Sequence, residues 1–208
     1  EIRARGKEDR RAGGEDLMVL GPHLMHLIRM TAGDPKWVFA HVTKGNQELH
    51  PDHIHQSPEQ LGPIAGDQVA AMFYLNNGLH AYFGSKANDV KGGPRFGTYF
   101  YGSKGIIYLP TMSRLSHGGE AILRSQNWHS GSWELIELRP NEQIRLEELN
   151  TLMVADLLQA IEEDRDPIVS ARDGRWTIEM IMSAYQSQKI GSPVTFPLKN
   201  RSHPLEEL

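Results

Sequence analysis

The chain has 208 residues, 39% hydrophobic and 23% charged, enough for one globular domain or two small ones and unlike a disordered, collagenous or coiled-coil composition. With 22 Lys and Arg against 26 Asp and Glu, its net charge of -4 offers no electrostatic footprint for nucleic acid or an anionic membrane. The absence of cysteine excludes a disulfide framework and a thiol nucleophile, and no apolar run approaches the roughly 18 residues of a membrane helix.

Residues 1 to 9 alternate in polarity and predict a short charged strand that starts at Glu1 rather than Met, which reads as part of a longer chain. After Gly13-Gly14, Leu17, Leu20, Leu24, Leu27 and Ile28 recur at helical spacing, and Gly33 followed by Asp34-Pro35 ends that helix. Pro22 removes the hydrogen bond to the Met18 carbonyl, so the helix either kinks or begins there. Trp37 to Lys44 is strand-like, and residues 45 to 66 form a polar loop rich in Gly, Pro and His.

From Asp67 the period becomes two. Val69, Ala71, Phe73 and Leu75 alternate with Gln68, Ala70, Met72 and Tyr74, and Asn76-Asn77-Gly78 predicts a type I′ hairpin turn. Two further hairpins are expected, around Gly102-Ser103-Lys104-Gly105 and around Ser130-Gly131-Ser132. Helical spacing returns near Leu146, with Leu149, Leu152, Met153, Leu157, Leu158 and Ile161 on one side. A last helix is capped by Ser170 with Asp173, buries Trp176, Met180, Ile181, Ala184 and Tyr185, and closes at Gly191. Val194 to Leu198 follow as a final strand. The expected class is α+β, a largely antiparallel open sheet with helices covering one face.

Histidines and a carboxylate crowd into His50-Pro51-Asp52-His53-Ile54-His55, a composition able to bind a divalent ion. No second ligand group is identifiable, so a solvated loop is the plainer reading and a small metal-dependent enzyme the weakest of the alternatives.

Two stretches carry a resemblance. Gly13-Gly14, then Leu20-Gly21-Pro22-His23-Leu24-Met25-His26-Leu27 and Gly33-Asp34-Pro35, resemble the opening of the C-terminal domain of the glucose–fructose oxidoreductase, inositol dehydrogenase and MocA family. Ala171-Arg172-Asp173-Gly174-Arg175-Trp176 through Glu179, with Tyr185-Gln186-Ser187 and Val194-Thr195-Phe196-Pro197-Leu198, are similar to the family's last helix and strand. The resemblance implies that residues 1 to 208 form the substrate-binding and oligomerisation domain of a two-domain NAD- or NADP-dependent oxidoreductase. Its cofactor would be bound mainly by an N-terminal dinucleotide-binding domain. In agreement, the chain shows no strand followed by Gly-x-Gly-x-x-Gly and a helix; Gly92-Gly93 and Gly118-Gly119 precede no helix.

The resemblance further implies that His23 is the catalytic histidine, since oxidising a secondary alcohol requires a group that takes the hydroxyl proton and an imidazole suits that task. The family's acidic residues on either side of it are Val19 and His26 here. Asp16, seven residues earlier, shares the face of His23 if the helix is unbroken, about 10 Å along the axis. Asp16, His26, Lys86 and Asn88 are the expected substrate-binding residues, with Tyr82 and Ser85 on the same strand. Arg5 and Lys7 are plainer as solvated edge charges, and Trp37, Trp128, Trp133 and Trp176 as core or interface residues. The implied substrate is a sugar, polyol or related hydroxy compound, and the implied partner a second copy of the chain through the sheet face, with no nucleic acid and no membrane. The compartment is open, with cytoplasm favoured. The rival reading from another class is a non-catalytic binding or scaffold domain of the same fold.

Overall fold

The computed structural model describes residues 13–57, 60–86, 97–110, 124–136 and 146–207. The expected strand over residues 1 to 9, the two glycine pairs at 92–93 and 118–119, and Asn88 lie outside them. The chain forms two compact units, Glu1–Asp89 with Ser170–Leu208, and Val90–Val169.

The first unit opens with two helices where the sequence suggests one interrupted helix. Helix α1 (Gly13–Val19) ends at Leu20, whose amide still bonds the Asp16 carbonyl at 2.9 Å, and α2 (Gly21–Ala32) carries Pro22 in its first turn. Pro22 supplies the fixed φ of a helix start and lacks only an amide that would find no partner there. Gly33 closes α2 at φ 101°, its amide bonding the Arg29 carbonyl.

Strand β1 (Pro35–Lys44) is central. It pairs antiparallel with β5 (Gln68–Leu75) on one side, and with β2 (Gln47–Glu48) and β11 (Val194–Thr195) besides; β5 in turn pairs with β6 (His80–Lys86). Between these lie a short 3-10 turn (Pro51–His53) and the small pair β3 (His55–Gln56) and β4 (Pro63–Ile64). The two-residue period decides which face is covered: Val38, Ala40, Val42, Val69, Ala71, Phe73 and Leu75 are buried, while Phe39 and His41 are exposed. Helix α4 (Ala171–Ile190) lays Met180, Ile181, Ala184 and Tyr185 on that face, and Leu17, Met25 and Ile28 of α1 and α2 join the same core. Each buried Leu, Ile or Met among them contributes about 1.5–3 kcal/mol by leaving water.

Because β11 is short, β1 has amides beyond its reach. Helix α4 supplies their partners: Ser187 Oγ accepts from the Ala40 amide at 2.9 Å and Gln188 Oε1 from the Val42 amide at 2.6 Å. Gly191 ends α4 in the left-handed region, as expected of a glycine there. One turn differs from expectation. Neither Asn76 nor Asn77 has positive φ; the Gly78 amide bonds the Leu75 carbonyl and the Leu75 amide the Leu79 carbonyl, with Gly78 at φ 86°. The hairpin is thus a type I turn closed by a glycine bulge, because Gly takes the left-handed position that Asn77 would otherwise need.

The second unit holds a four-stranded antiparallel meander, β7 (Gly97–Tyr101), β8 (Gly105–Pro110), β9 (Arg124–Asn127) and β10 (Trp133–Leu135), built on both expected hairpins. Among the described residues the strands form separate antiparallel sheets, in keeping with the expected α+β class. A β-carbon on Gly105 would stand 2.0 Å from the Gln126 carbonyl oxygen, so only glycine lets β8 and β9 pair this closely. Helix α3 (Leu146–Glu162) forms as expected, yet most of its stripe is not buried: Leu152, Met153, Leu157, Leu158 and Ile161 are exposed, while Ala160 is buried.

Candidate active site

The break between α1 and α2 builds the candidate site. Gly21 is buried at the corner; a β-carbon there would lie 3.5 Å from both the Asp16 carbonyl oxygen and Leu17 Cδ1, and 3.9 Å from Phe83 of β6. The two helices and the strand thus meet over a small residue, with Met25 and Ile28 directed inward. His23, one residue past Pro22, is exposed on the first turn of α2. Its amide bonds the Leu20 carbonyl at 3.2 Å.

Asp16 and His23 do not sit on one unbroken helix, because the helical hydrogen bonding is interrupted at Leu20, although Leu20 keeps a helical backbone (φ -96°, ψ -30°). Asp16 is instead tied to the sheet: Ser85 Oγ donates to Asp16 Oδ2 at 2.9 Å. For the same reason Val19, the last residue of α1, is not one regular turn before His23. His26 is half-buried in α2, and its Nε2 is enclosed with no hydrogen-bond partner. Lys86 ends β6 with the parity of Tyr82 and Gly84, opposite to Phe83 and Ser85, so it projects from the sheet face that the helices leave uncovered. The structure thus gathers Asp16, Ser85 and the helix corner bearing His23, places Lys86 on the other face, and leaves Asn88 outside the described residues.

The histidine loop is occupied with its own backbone. The His50 amide donates to His53 Nδ1 at 3.1 Å, and His55 Nδ1 donates to the His53 carbonyl at 3.3 Å. Among the described residues no group of three or more His, Asp or Glu side chains converges to hold a metal ion.

A cluster that local sequence patterns do not disclose lies at the other end of α2. Arg29 Nε donates to Asp34 Oδ1 at 2.7 Å, Nη1 donates to Asp173 Oδ1, and the guanidinium lies 5.7 Å from the Trp176 ring centroid. Burial opposes the charge of Arg29, but the two carboxylates outweigh it and hold the guanidinium above its ordinary pKa. Hydrogen bonds from Ser170, then from Arg29, hold the Asp173 carboxyl well below the usual range. Sequence spacing marks Asp173 only as a capping residue, since its ion pair spans 144 positions.

A family profile described as the oxidoreductase family, C-terminal alpha/beta domain, matches residues 4–196. The chain belongs to this oxidoreductase family. Solved structures agree on the fold of this oxidoreductase domain. Levoglucosan dehydrogenase in complex with NADH and levoglucosan is 17% identical, with a TM-score of 0.63 over 86% of this chain and 49% of that one. The WlbA dehydrogenase from Bordetella pertussis, in complex with NADH and UDP-GlcNAcA, is 14% identical, with a TM-score of 0.54 over 88% and 46%. An oxidoreductase from Agrobacterium radiobacter, in complex with NAD+, L-tartaric acid and magnesium, is 16% identical, with a TM-score of 0.58 over 86% and 48%. The chain spans about half the length of these proteins. No curated protein matches it by sequence.

Among the described residues every strand pairing is antiparallel, and no strand runs through a glycine turn into a helix with a parallel return. Among the described residues, no helix is long and apolar enough to cross a membrane.

Proposed function

We propose that residues 1 to 208 are the C-terminal, substrate-binding half of an NAD- or NADP-dependent oxidoreductase that oxidises or reduces a sugar, polyol or related hydroxy compound, the cofactor being bound mainly by an N-terminal dinucleotide-binding domain. The observation that carries this reading is the helix corner: the break at Leu20 and Pro22 leaves His23 exposed on the first turn of α2 while Gly21, Met25 and Ile28 of the same helix are buried. The family membership and the cofactor and sugar-like ligands named for the structural neighbours support it.

In this reading a nicotinamide held by the other domain would supply the hydride donor or acceptor for the carbinol carbon, and this chain handles the proton. His23 Nε2 or Nδ1 accepts the hydroxyl proton and passes it to solvent, which its exposure permits. Asp16, held by Ser85, fixes α1 against β6 and lines the substrate side of the corner, and His26, half-buried with its Nε2 enclosed, is proposed to meet the substrate through the accessible part of its ring. Lys86 and Asn88 are kept as proposed substrate contacts by their place in the sequence after Tyr82, although Lys86 projects from the sheet face opposite the helix corner. Partners other than substrate are further copies of the chain through the exposed face of the first sheet.

The test is nicotinamide-linked turnover by the full-length protein against a panel of sugars and polyols, followed by His23→Ala on the best substrate. Turnover is expected to fall roughly 10²- to 10⁴-fold with cofactor affinity nearly unchanged, because general acid–base catalysis acts in the transition state. Normal turnover in folded His23→Ala contradicts the assignment, and no turnover on any panel member favours the scaffold reading.

A further inference from the structure

Helix α2 carries His23 on its first turn but has no side-chain cap at Leu20, and Pro22 donates no amide there. Its orientation is therefore set by its buried side and by its far end. Burial fixes which side faces the core, yet apolar contact is non-directional and leaves small rotations about the helix axis inexpensive. The far end has directional bonds. Arg29 reaches Asp34, just before β1, with Nε and Asp173 at the start of α4 with Nη1, and lies over Trp176. Asp173 is itself pinned, its Oδ2 accepting from the Ser170 amide at 2.7 Å and from Ser170 Oγ at 2.6 Å. The Ala32 carbonyl is held by Asn77 Nδ2 at 2.7 Å. A planar guanidinium engaged by two carboxylates on different elements defines a rotation as well as a position.

We propose that Arg29, clasped by Asp34 and Asp173, is a positioning residue that sets the rotation of α2 and thereby the direction in which His23 is presented to substrate. This rests on the reading of His23 as the proton-handling group. Arg29 and His23 are less than two turns apart on one helix, so a rotation at the clasp is transmitted to the imidazole, and a displacement of about 1 Å can cost on the order of 100-fold in rate.

The experiment uses the full-length protein labelled with carbon-13 histidine, reading the His23 signal by NMR with His129 of the second unit as internal control, alongside turnover on the panel substrate. Arg29→Lys keeps the charge and loses the fork; Asp173→Asn keeps the size and loses the charge. Both are expected to displace the His23 signal, leave His129 in place, and lower kcat about 10-fold with the cofactor KM changed less than about twofold. An unmoved His23 signal and unchanged kcat in either folded variant overturn the proposal, as does a displacement of His129 together with His23, which marks general loss of structure. A displaced His23 signal in these two variants, with normal turnover in them and in His23→Ala, upholds the positioning and instead refutes the catalytic reading of His23.

Discussion

His203 couples the C-terminal turn to pH. Burial pushes its imidazole below the ordinary value, with Glu206 opposing, and its Nδ1 accepts the Leu205 amide at 3.3 Å, a role open only to the neutral ring. Because the folded-state pKa is depressed, the unfolded chain takes up the proton first as pH falls. The stability tied to neutral His203 is therefore complete above about pH 6.5 and is lost as pH falls from there through the folded-state value. Thermal unfolding between about pH 8 and about pH 5 is expected to show a decline in that window, and His203→Gln to flatten it. An identical decline in the variant would contradict the account. At this scale the sequence was legible where a residue's role is local: Gly33 and Gly191 as helix stops, Ser170 with Asp173 as a cap. It was not legible where the partner is distant. Asp16 reads as a neighbour of His23 along one helix, but the break at Leu20 and a hydrogen bond from Ser85, 69 positions away, give it another setting.

Elements obeyed the periodicity that predicts them, and departures came from crowding. Residues 45 to 66 read as an open loop, yet Gly66 within it is tightly enclosed: at φ 88°, a β-carbon would meet Val42 Cγ1 at 2.4 Å and the Thr43 carbonyl oxygen at 3.1 Å. Gly45, at φ 58°, has nothing within 4 Å of that position. Gly45→Ala is expected to cost about 1–2 kcal/mol for the left-handed backbone alone, whereas Gly66→Ala adds overpacking of about 1–3 kcal/mol against β1. Urea unfolding of the two variants checks the order, and equal losses would contradict it. The helix at Leu146 shows the converse. Its period is correct, but amphipathic spacing states only that a face is apolar, not that it is covered, and α3 exposes most of that stripe.

For the whole molecule, helices cover one face of the first sheet, while the other presents Phe39, Tyr82 and the stacked Trp37 and Tyr74 rings, 5.4 Å apart. A face of this kind is suited to a second copy of the chain, and sedimentation at tens of micromolar is expected to show a dimer or larger species; a strict monomer would count against it, since specific interfaces commonly bury about 1,600 Å². The α+β class and antiparallel pairing were legible because period-two strands joined by short glycine turns leave few other arrangements. Division into two units was not, since it depends on which strands pair across the chain.

In the function proposed above, this chain forms the substrate half of the oxidoreductase and leaves the dinucleotide to another domain. Titration calorimetry of NAD+ and NADP+ against residues 1 to 208, alongside the full-length protein, tests it most directly. The full-length protein is expected to bind one of the two cofactors, and residues 1 to 208 to bind neither or only weakly, for want of a glycine turn leading into a helix N-terminus. Low-micromolar binding of either cofactor to residues 1 to 208 would contradict the assignment.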